Sequence, residues 1–378
     1  MKVEIHKMFE YLLKTTDQAP EAVIGFSLAR SPRLKDFLDE LDPDMSLDWN
    51  NRSFAGLPEL RDHVIRQAGL NEQLSADDVL ITAGAAEANY LAIRQLVGPD
   101  DEIVTETPGW PQVGVMAKAI GAELKFVERR DENGWDFPMD ELAAAINERT
   151  RMVFLSNPNN PTGRLLSEDE LQEIVALARP HGAYVLVDEV YAGLEWSGER
   201  MPSIAGLYSR GITTGSISKA LGLQGMRIGW MISPDEQVIR DSLILRENSS
   251  EIMNVMGEAI AEIALRPARY EKALAFARSE GLVNLDVLDK FVDAEPRLSW
   301  IRPEAGLIGL ARLPDGVDSD DLAARLLARP YNTFLVPGSA YNLPRHIRVG
   351  VGGGPDVNLE EGLQRLSACL KEMGTFLI

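Results

Sequence analysis

A lysine near the middle of the chain has the surroundings expected of a reactive amine. The stretch Thr213-Thr214-Gly215-Ser216-Ile217-Ser218-Lys219 is typical of a buried strand end followed by a small-residue turn, and Arg227 follows eight residues later. Because an α/β sheet binds its ligand at the carboxyl ends of the strands, Lys219 is predicted to lie at that edge. An amine desolvated beside other cations has a lowered pKa and can form a Schiff base with a carbonyl group. Most lysines are solvated surface residues, so the interpretation depends on the rest of the chain.

Polar and aromatic residues at other predicted strand ends would suit a planar heterocycle. Asp188 follows the apolar run 183–187, where a buried carboxylate needs a cation such as a protonated ring nitrogen. Tyr191 lies three residues later and Asn160 follows another apolar strand, so both can bind a phenolic oxygen. Trp110 offers a flat apolar surface. Taken alone, Asp188 would be a turn or N-cap aspartate, and Trp110 a core or interface residue.

A third set of residues would bind a phosphate group. The predicted strand 79–82 runs into Gly84-Ala85-Ala86 and then a helix, a geometry that aims backbone N–H groups at an anion, although it is also ordinary βα connection chemistry. Ser216, Ser218 and Arg227 add hydroxyls and a guanidinium. A heterocycle with a ring nitrogen, a phenolic oxygen, an aldehyde and a phosphate satisfies all three sets of residues. The sequence therefore predicts pyridoxal 5′-phosphate as the cofactor.

Strands and helices alternate around these residues from Leu57 onward. Strands that are apolar on both faces are typical of a parallel sheet covered by helices. The pattern predicts an α/β fold with a large, doubly wound, mostly parallel sheet domain at 46–285 and a smaller α+β domain made of 1–45 and 286–378. The predicted strands are 79–82, 102–105, 124–127, 152–155, 183–187 and 227–232; the longest helical patterns are 236–246, 252–265, 270–288 and the stretch from Asn358 to the C-terminal region.

Composition excludes several classes of function. The 378 residues are 45% hydrophobic and 25% charged, as in globular proteins, and no apolar run reaches the roughly 20 residues of a membrane span. The net charge of −20 argues against nucleic acid as a partner. The single cysteine, Cys369, is predicted to pack in a helix, and its inability to form an internal disulfide favours a cytoplasmic location. The four histidines (His6, His63, His181 and His346) lack metal-ligand spacing, so no metal is expected.

Three motifs together carry a family resemblance. Asn160-Pro161-Thr162-Gly163, Asp188-x-x-Tyr191 and Ser216-x-Ser218-Lys219 with Arg227 resemble the class I and II aminotransferases, the aspartate-aminotransferase superfamily of fold type I, over nearly the whole chain from about Phe54. The resemblance implies that Lys219 forms the Schiff base and carries the substrate α-proton. It also implies that Asp188 keeps the ring nitrogen protonated and that Tyr191 binds the phenolic oxygen.

The same resemblance assigns the remaining cofactor and substrate contacts. It implies that Arg348, within His346-Ile347-Arg348-Val349-Gly350, binds the substrate carboxylate, together with Asn160 and Gly25. The residues that it implies for cofactor binding are Gly84, Ala85, Ala86, Trp110, Asn160, Asp188, Tyr191, Ser216, Ser218, Lys219 and Arg227.

Two stretches depart from the family pattern and leave the reaction open. Asn51 occupies the position of a tyrosine that usually reaches the phosphate of the neighbouring subunit in a homodimer with shared active sites. Residues 24–30 only loosely match the glycine-rich loop that usually lies over the substrate. The leading hypothesis is an aminotransferase acting on an amino acid and a 2-oxo acid in amino-acid metabolism. Elimination or replacement, cyclisation and oxidation are the alternatives, as in enzymes of specialised metabolism like capreomycidine synthase. A ligand-sensing domain of a transcription regulator is disfavoured by the acidic charge.

Overall fold

A seven-stranded sheet carries the strand ends on which the predicted site residues lie. The computed structural model describes residues 3–15, 18–48, 52–354 and 357–375. The strands, numbered in chain order, are β1 (Ala22–Val23), β2 (Val79–Thr82), β3 (Glu102–Thr107), β4 (Glu123–Glu128), β5 (Thr150–Ser156), β6 (Tyr184–Asp188), β7 (Gly211–Ser216), β8 (Gly229–Ile232), β9 (Ser299–Trp300), β10 (Ile308–Arg312), β11 (Thr333–Phe334), β12 (Val336–Pro337) and β13 (His346–Gly350).

The large sheet has the order β2-β8-β7-β6-β5-β3-β4. All neighbours are parallel except β8, which is antiparallel to both β2 and β7. Strand β8 begins two residues later than the sequence predicts, because Arg227 adopts a left-handed backbone conformation with φ of 53° and ends the preceding turn. The predicted α/β fold with a mostly parallel sheet is confirmed.

Helices cover both faces of this sheet and pack against the smaller one. They are α1 (Lys7–Thr15), α2 (Pro58–Gln67), α3 (Ala85–Leu96), α4 (Gln112–Ile120), α5 (Met139–Ala145), α6 (Glu168–Ala178), α7 (Ile204–Leu207), α8 (Glu236–Arg246), α9 (Val255–Leu265), α10 (Pro267–Ala294), α11 (Ser319–Leu327) and α12 (Leu359–Thr375). Helix α9 begins three residues later than predicted, because the Asn254 side chain accepts a hydrogen bond from the Gly257 N–H and caps it.

A four-stranded antiparallel sheet, with the order β12-β13-β10-β9, forms the second layer with α11 and α12. The apolar face of α12 is buried there, and Cys369, which was predicted to pack in a helix, is 1% exposed within it. The division into 46–285 and its flanking segments stays a prediction, and its second boundary falls inside the long helix α10. Among the described residues, no helix has the length and apolarity that crossing a bilayer requires.

Residues 22–30 connect the two sheets and run past the predicted lysine. Strand β1 pairs with β11, and the Gly350 N–H donates to the Ile24 carbonyl at 2.7 Å. Farther along, the Ala29 N–H donates to the Lys219 carbonyl at 2.9 Å. These backbone bonds place residues 25–27 between β13 and the end of β7, so the chain's own N-terminal part forms one wall of the site.

A buried ion pair fixes the strand ends on the other side of the site. Arg129 Nε donates to Glu106 Oε2 at 2.8 Å, and both side chains are at most 1% exposed. The other Glu106 oxygen accepts the Ser156 N–H at 2.8 Å, and Arg129 Nη1 donates to the Trp135 carbonyl at 2.7 Å. The pair therefore ties the ends of β3 and β5 to the loop after β4.

We predict that Arg129→Met lowers the free energy of unfolding by about 3–5 kcal/mol, because it leaves the Glu106 carboxylate buried without its cation. The matched control is Arg130→Met, since the neighbouring Arg130 forms its ion pairs with Glu128 and Glu141 in solvent and should have a much smaller effect. Urea denaturation followed by circular dichroism measures both variants. Equal midpoints for the two variants would contradict the prediction.

Candidate active site

A cavity of about 250 Å³ lies at the carboxyl ends of β5, β6 and β7. Its size suits a small ligand. The predicted residues that line it are Ala85, Ala86, Trp110, Asn160, Asp188, Ser216, Ser218, Lys219 and Arg227, and the cavity is completed by Leu28, Asn89, Ser156, Val190 and Gln224. A larger groove of about 780 Å³ lies along α10 and α12. The described residues that line it include none of the predicted site residues.

Asp188 is a buried carboxylate with an organised set of donors. Asn89 Nδ2 donates to Asp188 Oδ2 at 2.8 Å, and the Val190 N–H donates to Oδ1 at 3.2 Å. Thr214 Oγ1 donates to Asn89 Oδ1 at 2.7 Å and so fixes the orientation of the amide. Burial raises the pKa of Asp188 to about 6, against the opposing effects of Asn89, the Val190 N–H and the charge of Lys219. A ring N–H⁺ beside this carboxylate would stabilise its ionised form.

Lys219 is buried among groups of both charges. Its Nζ lies 3.5 Å from Ser27 Oγ and 5.6 Å from the centre of the Tyr191 ring. Burial lowers the pKa of Lys219 to about 8, and the charges of Arg348 and Arg227 act in the same direction, whereas Asp188 opposes them. A substantial neutral fraction near physiological pH is what a Schiff-base amine requires.

The first turn of α3 and the loop before β8 form an anion-binding geometry. Gly84 precedes the helix with φ of 90°, and a Cβ atom there would lie 2.6 Å from Arg227 Nη2. The Arg227 guanidinium donates to the carbonyl oxygens of Gln224 and Ala83 at 3.2 and 3.1 Å, and no acidic partner for it is found in the described part of the chain. Ser216 Oγ accepts the Ser218 N–H at 3.3 Å. The helix N-terminus, the hydroxyls and the guanidinium fit a phosphate group.

Arg348 is a buried cation whose positive charge has no acidic partner among the residues that the structure describes. It is 6% exposed on β13. Its Nη1 donates to Tyr341 Oη at 2.7 Å and its Nη2 to the Gly25 carbonyl at 3.1 Å, whereas Nε has no acceptor. An unpaired buried charge is costly, so this site favours an anion. The predicted residue Gly25 thus contributes through its carbonyl oxygen.

Tyr341 brings Arg348 and Asn160 together, and the sequence analysis missed it. Its hydroxyl donates to Asn160 Oδ1 at 3.1 Å. Tyr191, which was predicted, is fully buried beside Lys219, and its hydroxyl donates to the Ser27 carbonyl at 3.5 Å. Burial raises the pKa of Tyr191, so its hydroxyl stays protonated and available as a donor.

Other residues that the sequence analysis missed hold the predicted ones in place. Trp110 Nε1 donates to Gln112 Oε1 at 3.3 Å, and Gln112 Nε2 donates to the Ala86 carbonyl at 2.7 Å. Asn89 carried a detectable signal, because it is a polar residue on the otherwise apolar inner face of α3. Asn51 lies outside the described residues.

The residues present fit the predicted cofactor on three independent grounds. A buried carboxylate, Asp188, would accept a hydrogen bond from a ring nitrogen, and a partly neutral amine, Lys219, lines the same cavity. The anion-binding geometry around Arg227 lies on the same cavity. By contrast, no group of three or more His, Cys, Asp or Glu side chains in the described ranges is arranged to hold a metal ion.

Comparison with known proteins relates the chain to one enzyme family. The family model described as aminotransferase class I and II matches residues 50–366. Capreomycidine synthase from Streptomyces vinaceus is 31% identical over 310 residues, which cover 79% of this chain and 75% of that protein. An arginine–pyruvate transaminase from Pseudomonas aeruginosa is 29% identical over 310 residues, which cover 80% of this chain and 77% of that protein.

Solved structures share the fold over nearly the whole chain. A PLP-dependent aminotransferase from Streptococcus suis superposes with a TM-score of 0.89 at 28% identity, covering 98% of this chain and 99% of that one. The PLP-dependent cyclase OrfR superposes with a TM-score of 0.87, covering 99% of this chain and 98% of that one. Its 23% identity shows a shared fold alone.

We predict that Lys219 in the ligand-free protein reacts with formaldehyde and cyanoborohydride near pH 8 on the order of 100-fold faster than an ordinary lysine, whose pKa is ~10.4. The reason is that half of the Lys219 amine is neutral at a pKa of about 8. Peptide mass spectrometry across pH measures the rate, with the exposed Lys35 as the internal reference.

The variant Arg348→Gln should move the Lys219 reaction profile to higher pH, because the Arg348 charge helps to lower the pKa of Lys219. A Lys219 rate that rises only above pH 10 would show that the amine is not desolvated.

Proposed function

The chain belongs to the class I and II aminotransferases, and we propose that it transfers the amino group of an amino acid to a 2-oxo acid. It is a transferase with pyridoxal 5′-phosphate as its cofactor. The observation that carries the proposed reaction is the buried Arg348, which lacks an acidic partner in the described chain and is linked through Tyr341 to Asn160 at the cavity of Lys219. A guanidinium in this position suits the α-carboxylate of an amino acid.

The residues of the site form three groups, and each group suits a different part of the cofactor. When bound, pyridoxal phosphate supplies an electron sink that lets bonds at an amino acid's α-carbon break. Asp188 would accept a hydrogen bond from the ring nitrogen and so keep a proton there. Asn160 and Tyr191 would hold the phenolic oxygen, the Tyr191 hydroxyl turning to it from the Ser27 carbonyl, and Trp110 and Val190 line the same cavity. The backbone N–H groups of Ala85 and Ala86, with Ser216, Ser218 and Arg227, would bind the phosphate.

Lys219 and Arg348 act on the substrate. Of the five N–H groups of Arg348, Tyr341 and Gly25 each occupy one, so three remain for the α-carboxylate. The freed Lys219 amine takes the proton from the substrate α-carbon, for which a pKa of about 8 is well suited near neutral pH. Over a full cycle, one amino acid and one 2-oxo acid give a second 2-oxo acid and a second amino acid.

A second candidate keeps the cofactor and changes the outcome. Capreomycidine synthase is 31% identical to the chain and the arginine–pyruvate transaminase is 29% identical. Because these identities are nearly equal, similarity favours neither reaction over the other. Elimination, replacement, cyclisation or oxidation of an amino acid is therefore the alternative, and the experiment below separates it from transamination.

We predict that single-turnover mixing of the PLP-loaded protein with a panel of amino acids converts the cofactor to its amine form with at least one of them. One 2-oxo acid forms per cofactor, and adding a second 2-oxo acid restores the original spectrum. Lys219→Ala should slow the proton transfer by about 100- to 10,000-fold, because it removes the base, and Lys35→Ala serves as the control. Product release from an amino acid without any amine form of the cofactor would exclude transamination and favour the alternative.

We further propose that the protein is a cytoplasmic homodimer with shared active sites. Phe54, Ile244 and Met256 expose apolar side chains on segments that contact one another. Arg246 donates to the Phe54 carbonyl, and Glu258 accepts the Leu57 N–H at 2.9 Å, so these segments are held together. We propose that these three side chains form an apolar surface that joins the subunits, since exposed apolar patches mark protein–protein contacts.

We predict a sedimentation mass of two 41.7 kDa chains for the native protein. Met256→Glu should shift the equilibrium towards the monomer, because it places a charge within this apolar surface. Phe276→Glu is the matched control, since Phe276 is also exposed but lies on α10, outside the three segments that carry Phe54, Ile244 and Met256. A native monomer with full activity would contradict the dimer.

A further inference from the structure

The hydroxyl of Tyr341 lies between two residues that the proposed function uses for different ligands. It accepts a hydrogen bond from Arg348 Nη1 at 2.7 Å and donates one to Asn160 Oδ1 at 3.1 Å. Tyr341 is 2% exposed, and its ring packs with Met8, Val336 and Ala340. Burial raises the pKa of Tyr341 to about 12, so the hydroxyl keeps its proton at neutral pH.

Chemistry fixes the direction of this chain of hydrogen bonds. The guanidinium of Arg348 can only donate, so the hydroxyl of Tyr341 must accept from it. A tyrosine hydroxyl has one hydrogen, and the remaining partner is the Asn160 amide, which must therefore present its oxygen to Tyr341. The Asn160 NH₂ group is then the end left for the cavity. The orientation of this amide follows from the fixed donor role of Arg348.

We propose that Tyr341 is a positioning residue that holds the Asn160 amide with its NH₂ group towards the phenolic oxygen of the cofactor and, through the same hydroxyl, holds Arg348 for the substrate carboxylate. This inference rests on the proposed cofactor and substrate sites. It adds a residue that the family motifs in the sequence did not mark.

Loss of the Tyr341 hydroxyl should affect both of its hydrogen-bond partners, Arg348 and Asn160. Without it, Arg348 Nη1 loses its acceptor and Asn160 Oδ1 loses its donor, although the ring still fills its pocket. The amide can then rotate and present oxygen instead of NH₂ to the phenolic oxygen. A hydrogen-bond donor stabilises the phenolic oxygen most when the nitrogen that joins the cofactor to Lys219 has lost its proton. Removing the donor therefore favours the protonated nitrogen and raises its pKa.

The test uses the PLP-loaded protein and two equilibrium measurements that need no turnover. In Tyr341→Phe, we expect the pH titration of the cofactor absorbance to show a pKa higher by about 0.5–1 unit. We also expect the Kd for 3-phenylpropionate or succinate, which are carboxylates without an amino group, to rise about 10-fold. The probe with the lower Kd on the unmodified protein is used for all variants.

Matched variants separate positioning from a general packing effect. Tyr208→Phe removes another buried hydroxyl, which donates to the Ala183 carbonyl at 3.1 Å away from the cavity, and should change neither measurement. Tyr341→Phe in an Asn160→Ala background should add no further pKa shift, because the two residues act through one hydrogen bond. 3-Fluorotyrosine in place of Tyr341 keeps the ring shape but acidifies the hydroxyl, so it should lower the cofactor pKa.

The proposal is overturned by an unchanged cofactor pKa in Tyr341→Phe, or by the same shift in the Asn160→Ala background. If Tyr341→Phe does not load cofactor, the direction of the 3-fluorotyrosine shift decides, and a rise or no change rejects the proposal. Failure of the proposed transamination has a different signature, since the amine form of the cofactor would then be missing in the unmodified protein while both equilibrium effects persist.

Discussion

The structure is organised around a lysine amine that is kept away from water. Lys219 would carry a full charge in solvent, and burial together with the charges of Arg348 and Arg227 lowers its pKa to about 8, against the opposing charge of Asp188. Between this value and the ~10.4 of an unfolded lysine, the folded chain binds fewer protons than the unfolded one. The Lys219 amine therefore lowers the stability of the folded state at neutral pH. This destabilisation decreases as the pH rises through that window. The Lys219 amine stays buried because the surrounding strand ends and backbone hydrogen bonds hold it in place.

Residues 22–30 supply some of these backbone hydrogen bonds, because they contact both Arg348 and Lys219. The Gly25 carbonyl accepts from Arg348, and the Ala29 N–H donates to the Lys219 carbonyl. Close approach demands glycine on the facing strand, since a Cβ atom at Gly350 would lie 2.1 Å from the Phe26 carbonyl oxygen. The sequence analysis treated this stretch only as a loose match to a substrate loop. Its backbone is instead part of the structure that places the Lys219 amine near the buried Arg348.

The sequence predicted the strand ends and the residues on them because both depend on local patterns. Apolar runs that end in polar or glycine-containing turns predicted that Asp188, Asn160 and Lys219 lie at strand ends. Periodicity carries no information about strand direction, so the antiparallel pairing of β8 was not predicted. Contacts between residues far apart in the chain were also missed. Tyr341 meets Asn160 across 181 positions, and no local pattern marks such a pair.

The reaction itself stays a proposal for the same reason, because it depends on contacts between residues that are far apart in the sequence. The residues proposed to bind the cofactor lie on strand ends, and pyridoxal phosphate by itself leaves the fate of a substrate's α-proton open. That fate depends on what surrounds Lys219 on the substrate side, where Ser27 Oγ lies 3.5 Å from the amine. Ser27 belongs to the stretch that departs from the family pattern. A hydroxyl beside a proton-carrying amine can hold or redirect that proton, so the chemistry that distinguishes this chain is expected on the N-terminal wall of the cavity.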